Sequence, residues 1–230
     1  MELGFYRFAN KEPNKLAIVG PNEELVSRGE LLSKANKLTH ALRDLGLKKF
    51  DTVAVVLPNS VEYFVVYMAC LQAGFYLVPI NWHLAGPEIA YILEDSEAKA
   101  FIASGKNPDM EKACINAVSE ISFDKKGCIT IDELEGFRHI DDFTKSMPDE
   151  NPHDRSAGQV MNYTSGTTGK PKGVKRNLVE GDPDDVLSLF AMIFSFYNIQ
   201  PEDENVHIVG SPLYHCLLYT SPSPRDTRRS

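Results

Sequence analysis

The sequence lacks the features that would assign it to a membrane, a nucleic acid or an oxidising compartment. It has four cysteines in 230 residues, and no pair has the short spacing of a zinc or redox motif, so we expect small buried hydrophobic residues. Acidic residues outnumber basic ones by 32 to 24, and the resulting net charge of -8 argues against a nucleic-acid partner. The longest apolar run, at residues 61–71, is too short to span a bilayer.

What is present indicates a globular protein of the cytoplasm. Hydrophobic residues make up 43% of the chain and charged residues 24%, which is ordinary for a globular domain. Residues 1–6 show no basic segment followed by an apolar stretch, so no secretory signal is predicted. Peripheral contact with a membrane surface stays open, and the sequence indicates neither an oligomeric state nor metal ligands.

Helical and strand patterns alternate along the first two-thirds of the chain. Ser27 and Glu30 form a capping-box pattern before a helix that should end near Gly46, and Ser60 can cap the next helix. The predicted strands are residues 52–57, 75–80, 98–103, 128–131 and 159–163, and the further helices are 61–74, 86–93 and 108–118. Repeated strand–helix–strand units predict an α/β fold with parallel pairing, right-handed crossovers and helices on both faces of the sheet. Residues 136–156 are polar and are predicted to form a surface connection.

The stretch with the clearest chemistry is residues 161–176, MNYTSGTTGKPKGVKR. We predict a hairpin, with residues 173–176 as the returning strand. Gly166 and Gly169 allow turns that expose backbone N–H groups in a concave nest, and Lys170 and Lys172 add positive charge. Hydroxyl donors are supplied by Thr164, Ser165, Thr167 and Thr168. Together these groups predict a phosphate-binding loop.

Two alternatives apply to this loop. The common nucleotide P-loop requires glycine five residues before Gly-Lys and a serine or threonine after it, whereas this chain has Thr164 and Pro171 there. A kinase or GTPase function is therefore disfavoured. The second alternative is a Gly/Ser/Thr-rich hairpin that binds no ligand, and the composition of the loop leaves it open.

The string YTSGTTGKPKG at residues 163–173 resembles the ATP-binding signature of the adenylate-forming superfamily. Residues 81–84 (NWHL) with 88–96 (EIAYILEDS), and residues 211–215 (SPLYH), resemble segments of its acyl-CoA synthetases, the fatty-acid–CoA ligases. The resemblance covers about residues 5–216. It implies the N-terminal part of the large domain of an adenylate-forming enzyme, with mainly parallel sheet layers and helices.

The resemblance also implies a reaction and its site. A carboxylate, here a fatty acid by analogy, would attack the α-phosphate of ATP with Mg²⁺, and CoA would then take the acyl group and release AMP. His215 would order the carboxylate or a phosphate, and Lys172 would stabilise charge at the phosphates. The implied ATP-binding residues are Thr164, Ser165, Gly166, Thr167, Thr168, Gly169 and Lys172. Lys170 is kept apart, because the family varies at that position.

The resemblance leaves the chain incomplete, since the family's later metal-binding, ribose-binding and hinge elements lie beyond this sequence. Residues 1–216 are therefore expected to be a truncated AMP-binding domain that is inactive by itself. Residues 217–230 resemble a translated sequencing adapter and are expected to be a non-native tail. The alternatives are a non-catalytic ATP-binding module and a luciferase-like or peptide-synthetase member of the same superfamily.

Overall fold

A sheet of six parallel strands forms the centre of the computed structural model, which describes residues 4–164, 170–186, 188 and 206–215. The strands are β1 (Leu16–Val19), β2 (Leu25–Ser27), β3 (Thr52–Val56), β4 (Tyr76–Pro79), β5 (Ala98–Ala103), β6 (Cys128–Thr130), β7 (Arg138–His139), β8 (Gln159–Val160), β9 (Asn162–Thr164) and β10 (Lys172–Val174). The helices are α1 (Phe5–Lys11), α2 (Arg28–Asp44), α3 (Val61–Ala73), α4 (Gly86–Asp95), α5 (Pro108–Glu120) and α6 (Ile140–Thr144). The sheet has the order β7-β6-β5-β3-β4-β8, whereas β1 pairs with β2, and β9 with β10, in separate antiparallel hairpins.

Strand β3 lies in the middle of the sheet because its side chains are apolar on both faces. All five of its residues are buried. Val53 and Val55 belong to one hydrophobic core, and Ala54 and Val56 belong to the core on the opposite face. A parallel strand that is covered on both sides needs such a continuous apolar run rather than an alternating pattern. The predicted strand at residues 52–57 is thereby confirmed.

Helices cover both faces of the sheet, as predicted. The buried residues of α2, α3 and α6 share one core with β3, whereas those of α4 and α5 pack in the other. The capping box of α2 is present, since the Ser27 hydroxyl accepts from the Glu30 N–H and the Glu30 carboxylate accepts from the Ser27 N–H. Helix α3 begins at the Ser60 cap and ends at Gly74, whose φ of 73° is the left-handed conformation that glycine adopts readily.

The structure differs from the sequence-based prediction in several places, and one is the predicted strand at residues 159–163, which is divided between β8 of the parallel sheet and β9 of a separate hairpin. Residues 136–156 are not only a surface connection, because they contain β7 at the sheet edge and the short helix α6. Ile140 and Phe143 are the buried residues of α6, and two apolar residues in a polar stretch are too few to predict a helix. At the N-terminal end, the helix α1 and the β1–β2 hairpin were not predicted.

Three of the four cysteines are buried, as predicted. Cys70, Cys114 and Cys128 are buried free thiols, and burial raises the pKa of Cys114 to about 12 and that of Cys128 to about 11. Cys216 and the predicted tail at residues 217–230 lie outside the described residues. Within the described ranges, every helix is too short or too polar to cross a bilayer.

Candidate functional site

Three chain segments meet the carboxyl end of the parallel sheet. The first follows β3 at residues 57–60, the second follows β4 at residues 80–85, and the third follows β8 and forms the β9–β10 hairpin. Because β3, β4 and β8 are parallel neighbours, these segments leave the sheet at the same edge. Open α/β sheets bind their ligands at the carboxyl ends of their strands, so a ligand-binding site is expected at this edge.

The hairpin brings two of the predicted site residues opposite each other. Thr164 of β9 pairs with Lys172 of β10, and Tyr163 pairs with Gly173. The predicted hairpin is therefore confirmed, although its returning strand begins at Lys172 and ends at Val174 rather than covering residues 173–176. A side chain at position 173 would overlap Met161 and the Tyr163 ring, which explains the glycine there.

The centre of the predicted phosphate loop, Ser165, Gly166, Thr167, Thr168 and Gly169, lies outside the described residues. Their roles, like those of Thr164 and Lys172, stay predictions. What the structure does describe is the base of the loop, where Thr164 and Lys172 are both exposed. In the described part of the chain Lys172 forms no salt bridge.

Helix α4 supports this loop, a feature that sequence reasoning missed. The Tyr91 hydroxyl donates to the Pro171 carbonyl oxygen at 3.0 Å, and the Tyr163 hydroxyl donates to Asp95 Oδ2 at 2.6 Å. Burial is the main cause that raises the pKa of the Tyr163 hydroxyl, and the hydrogen bond to Asp95 raises this pKa further. Tyr91 and Asp95 lie within the segment 88–96 that carries the resemblance, but nothing in their spacing predicted contact with the loop.

His215 reaches the same edge of the sheet on a separate segment. The Leu213 N–H donates to Asn59 Oδ1 at 2.8 Å, and the Tyr63 hydroxyl donates to the Leu213 carbonyl oxygen at 2.8 Å. The Leu213 side chain is buried in the core, whereas His215 is exposed. Since Asn59 and Tyr63 follow β3 directly, the structure places His215 at the carboxyl end, and its catalytic role stays a prediction.

The described residues do not supply a ready metal site. No group of three or more histidine, cysteine, aspartate or glutamate side chains in the described ranges is arranged to hold a metal ion. No such cluster marks a position for Mg²⁺ in the described ranges, and we assign no step of the chemistry to this ion. Two cavities among the described residues, of about 700 and 610 Å³, are lined by residues outside the hairpin.

Comparison with known proteins agrees with this geometry. Residues 5–221 match the family of AMP-binding enzymes. The 2-succinylbenzoate–CoA ligase of Bacillus licheniformis is 28% identical over 211 residues, which are 90% of this chain and 39% of that protein. The long-chain-fatty-acid–CoA ligase FadD13 of Mycobacterium tuberculosis is 32% identical over 170 residues, which are 72% of this chain and 32% of that protein.

A solved structure supports the same conclusion at the level of the fold. The crystal structure of ATP-bound MatB from Rhodopseudomonas palustris superposes with a TM-score of 0.66 at 25% identity, covering 92% of this chain and 40% of that one. The predicted α/β fold is thereby confirmed. The chain spans 39% and 32% of the two sequence relatives and 40% of the MatB chain. By the match over residues 5–221, this chain belongs to the AMP-binding enzyme family.

Proposed function

We propose that this chain carries the ATP-binding part of an acyl-CoA synthetase. The observation that carries the proposal is the pairing of Thr164 with Lys172, which closes a Gly/Ser/Thr-rich loop beside the carboxyl end of the parallel sheet. An exposed lysine and hydroxyl at the base of such a loop suit a polyphosphate, because the ammonium offsets the phosphate charge and the hydroxyl donates hydrogen bonds.

The proposed reaction has two steps. An oxygen of the substrate carboxylate attacks the α-phosphorus of ATP, and the bond to the bridging oxygen breaks to release pyrophosphate. The CoA thiolate then attacks the acyl carbon, forming a thioester and expelling AMP. In the first step Lys172 would stabilise the negative charge that grows on the departing pyrophosphate. His215 would orient the carboxylate or a phosphate, which is a matter of holding reacting atoms in line.

The acid and the acceptor belong to the proposal as well. A fatty acid is our first candidate, supported by the similarity to FadD13, a long-chain-fatty-acid–CoA ligase. The similarity to a 2-succinylbenzoate–CoA ligase supports carboxylic acids as the wider class. Both names support CoA as the acyl acceptor. We also propose that the reaction takes place in the cytoplasm.

The test uses the complete gene product, because the chain spans 39% or less of these two relatives. We expect Lys172→Ala to lower acid-dependent exchange of pyrophosphate into ATP by about 100- to 1000-fold, the usual cost of removing one preorganised charge-stabilising group. CoA transfer from preformed acyl-adenylate should fall by less than about 10-fold, because pyrophosphate has already left.

Lys175→Ala is the matched control. Lys175 lies on the same hairpin, but its ammonium sits 4.7 Å from the centroid of the Tyr76 ring. We expect its exchange rate to stay within about 2-fold of the parent, since a surface lysine engaged elsewhere contributes little to distant chemistry. Equal losses in both half-reactions for Lys172→Ala would contradict the assignment. ATP binding without exchange in the parent protein would favour the non-catalytic ATP-binding module.

A further inference from the structure

Both ends of the proposed phosphate loop are bonded to the same helix. On the side that enters the loop, the Tyr163 hydroxyl donates to Asp95 Oδ2 at 2.6 Å. On the side that leaves it, the Pro171 carbonyl oxygen accepts from the Tyr91 hydroxyl at 3.0 Å. Tyr91 and Asp95 are four residues apart in α4, so they lie on the same side of the helix, one turn apart.

Helix α4 is a firm support for these bonds. Its buried side chains, Ile89, Ala90, Ile92 and Leu93, pack in the core that covers one face of the sheet. At its first turn the Glu88 carboxylate accepts from the Ala85 N–H at 2.9 Å, which satisfies a donor that the helix itself leaves unpaired. A loop fastened to α4 is therefore held in position relative to the parallel sheet.

Tyr91 makes a second contact that separates the two lysines of the loop. The ammonium of Lys170 lies 5.0 Å from the centroid of the Tyr91 ring, within the range of a cation–π interaction. Lys172, two residues further on, forms no salt bridge within the described ranges. The charge of Lys170 is thus directed to the helix, and that of Lys172 is left for an anion.

We propose that Tyr91 is a positioning residue for the loop, acting through the Pro171 carbonyl and the Lys170 ammonium, with the Tyr163–Asp95 bond as a second fastening. This inference rests on the proposed function. Fixing both ends of a loop lowers the conformational entropy that binding must remove, so ATP binds more tightly and in the geometry needed for attack. Tyr91 itself touches no reacting atom.

The experiment compares two substitutions at one position in the complete gene product. Tyr91→Phe removes the hydroxyl and keeps the ring, whereas Tyr91→Leu removes both contacts. We expect the KM for ATP to rise by about 3- to 10-fold in Tyr91→Phe, the worth of one hydrogen bond, and further in Tyr91→Leu. The KM values for the acid and for CoA should stay unchanged, and Tyr163→Phe should behave like Tyr91→Phe.

Tyr6→Phe is the matched control. It removes another tyrosine-to-carbonyl bond, from the Tyr6 hydroxyl to the Met68 carbonyl oxygen at 2.7 Å, but that bond joins α1 to α3. A purely structural effect would appear in both substitutions as a lower melting temperature. A positioning effect would raise the KM for ATP in the Tyr91 variants and leave it unchanged in Tyr6→Phe.

A second measurement reports the loop directly, without any reaction. Trypsin can cut the peptide bond after Lys172, and we expect cleavage without ATP to be about 3-fold faster or more in Tyr91→Leu than in the parent. If the KM for ATP and this cleavage rate both stay unchanged while Lys172→Ala loses exchange, the inference on Tyr91 is wrong and the proposed function stands. If the parent shows no exchange, the proposed function fails, and unchanged or faster cleavage still decides whether Tyr91 holds the loop.

Discussion

The two ends of the parallel sheet differ in whether their charged side chains form salt bridges within the chain. At the amino end, charges are paired within the chain: Lys99 with Asp51 at 2.8 Å, Lys49 with Glu180 at 3.8 Å, and Arg155 with Asp184 at 3.2 Å. At the carboxyl end, Lys172 and His215 form no salt bridge in the described part of the chain. Charges that are paired within the chain hold segments together, whereas the proposed function would use the side chains at the carboxyl end to meet a ligand.

The pair of Arg155 and Asp184 shows the structural use most clearly. The Asp184 side chain is fully buried, and its carboxylate also accepts from the Tyr6 N–H at 3.1 Å. The Arg155 guanidinium lies over the Tyr6 ring, with its central carbon 4.5 Å from the centroid. This cluster fastens α1 to the segment before β8 and to residue 184. It joins parts of the chain that are far apart in sequence.

The largest effect should follow from breaking this cluster. We expect Arg155→Met to lower the free energy of unfolding by about 3–5 kcal/mol, because it leaves the buried Asp184 carboxylate without its partner. Urea unfolding of the complete gene product measures the change. Asp184→Asn in the same background should recover part of the loss, and its failure to do so would show that the pair is not what holds the segments together.

The loss of stability in Arg155→Met should depend on pH. Desolvation raises the pKa of the Asp184 carboxyl in the folded protein. A folded state with a raised acid pKa binds more protons than the unfolded state, so its stability falls as pH rises through that pKa. Without Arg155 the pKa should rise further. The destabilisation by Arg155→Met should therefore be smaller at pH 5 than at pH 8, and an opposite trend in the urea midpoints would contradict this account.

A smaller loss of stability should follow from a substitution directly before β8, the edge strand of the parallel sheet. Gly158 precedes β8, and a side chain there would overlap the carbonyl oxygens of Cys70 and Phe75. We expect Gly158→Ala to cost about 1–3 kcal/mol of unfolding free energy, as overpacking does elsewhere. Gly210→Ala is the control, since a side chain at Gly210 meets no atom within 4 Å among the described residues and, like Gly158, Gly210 is not in the left-handed conformation. Equal losses of stability in the two variants would show that overlap with the carbonyl oxygens is not the cause.

At the carboxyl end, Asn59 provides a test of how His215 is held. Its side chain accepts from the Leu213 N–H and donates to the Ser211 carbonyl oxygen at 3.0 Å. We expect Asn59→Ala to lower stability by about 1 kcal/mol and to slow adenylate formation by about 10-fold, because the segment that carries His215 is released. Pyrophosphate exchange measures the second effect. A loss of stability with unchanged exchange would separate His215 from the chemistry.

The smallest change in stability should come from Lys172 itself. We expect Lys172→Met to alter the free energy of unfolding by no more than about 0.5 kcal/mol, because an exposed side chain with no salt bridge to the described residues contributes little to folding. The contrast with Arg155→Met is the measurement of interest. A large loss of stability for Lys172→Met would mean that the charge at this end is structural as well, and the difference between the two ends would disappear.

Much of the fold was predictable, because its main elements carry strong local signals. The buried strand at 52–57, the Ser60 cap and the Gly74 end of α3 each follow from a few neighbouring residues. The strands at 138–139 and 159–160 have only two residues each, so their pairing depends on neighbours far away in the chain. Helix α6 was missed because it has five residues, of which only Ile140 and Phe143 are buried.

The candidate site also has features that the sequence predicted and features that only the structure revealed. By itself, the sequence determined the parallel α/β sheet and predicted a phosphate-binding loop beside it, since glycines, hydroxyls and lysines in one short segment are a local pattern. Only the tertiary structure decided that Thr164 faces Lys172, that Tyr91 and Asp95 hold the ends of the loop, and that Arg155 neutralises Asp184. Each of these contacts joins residues that are neighbours only after folding, and a local pattern carries no information about such neighbours.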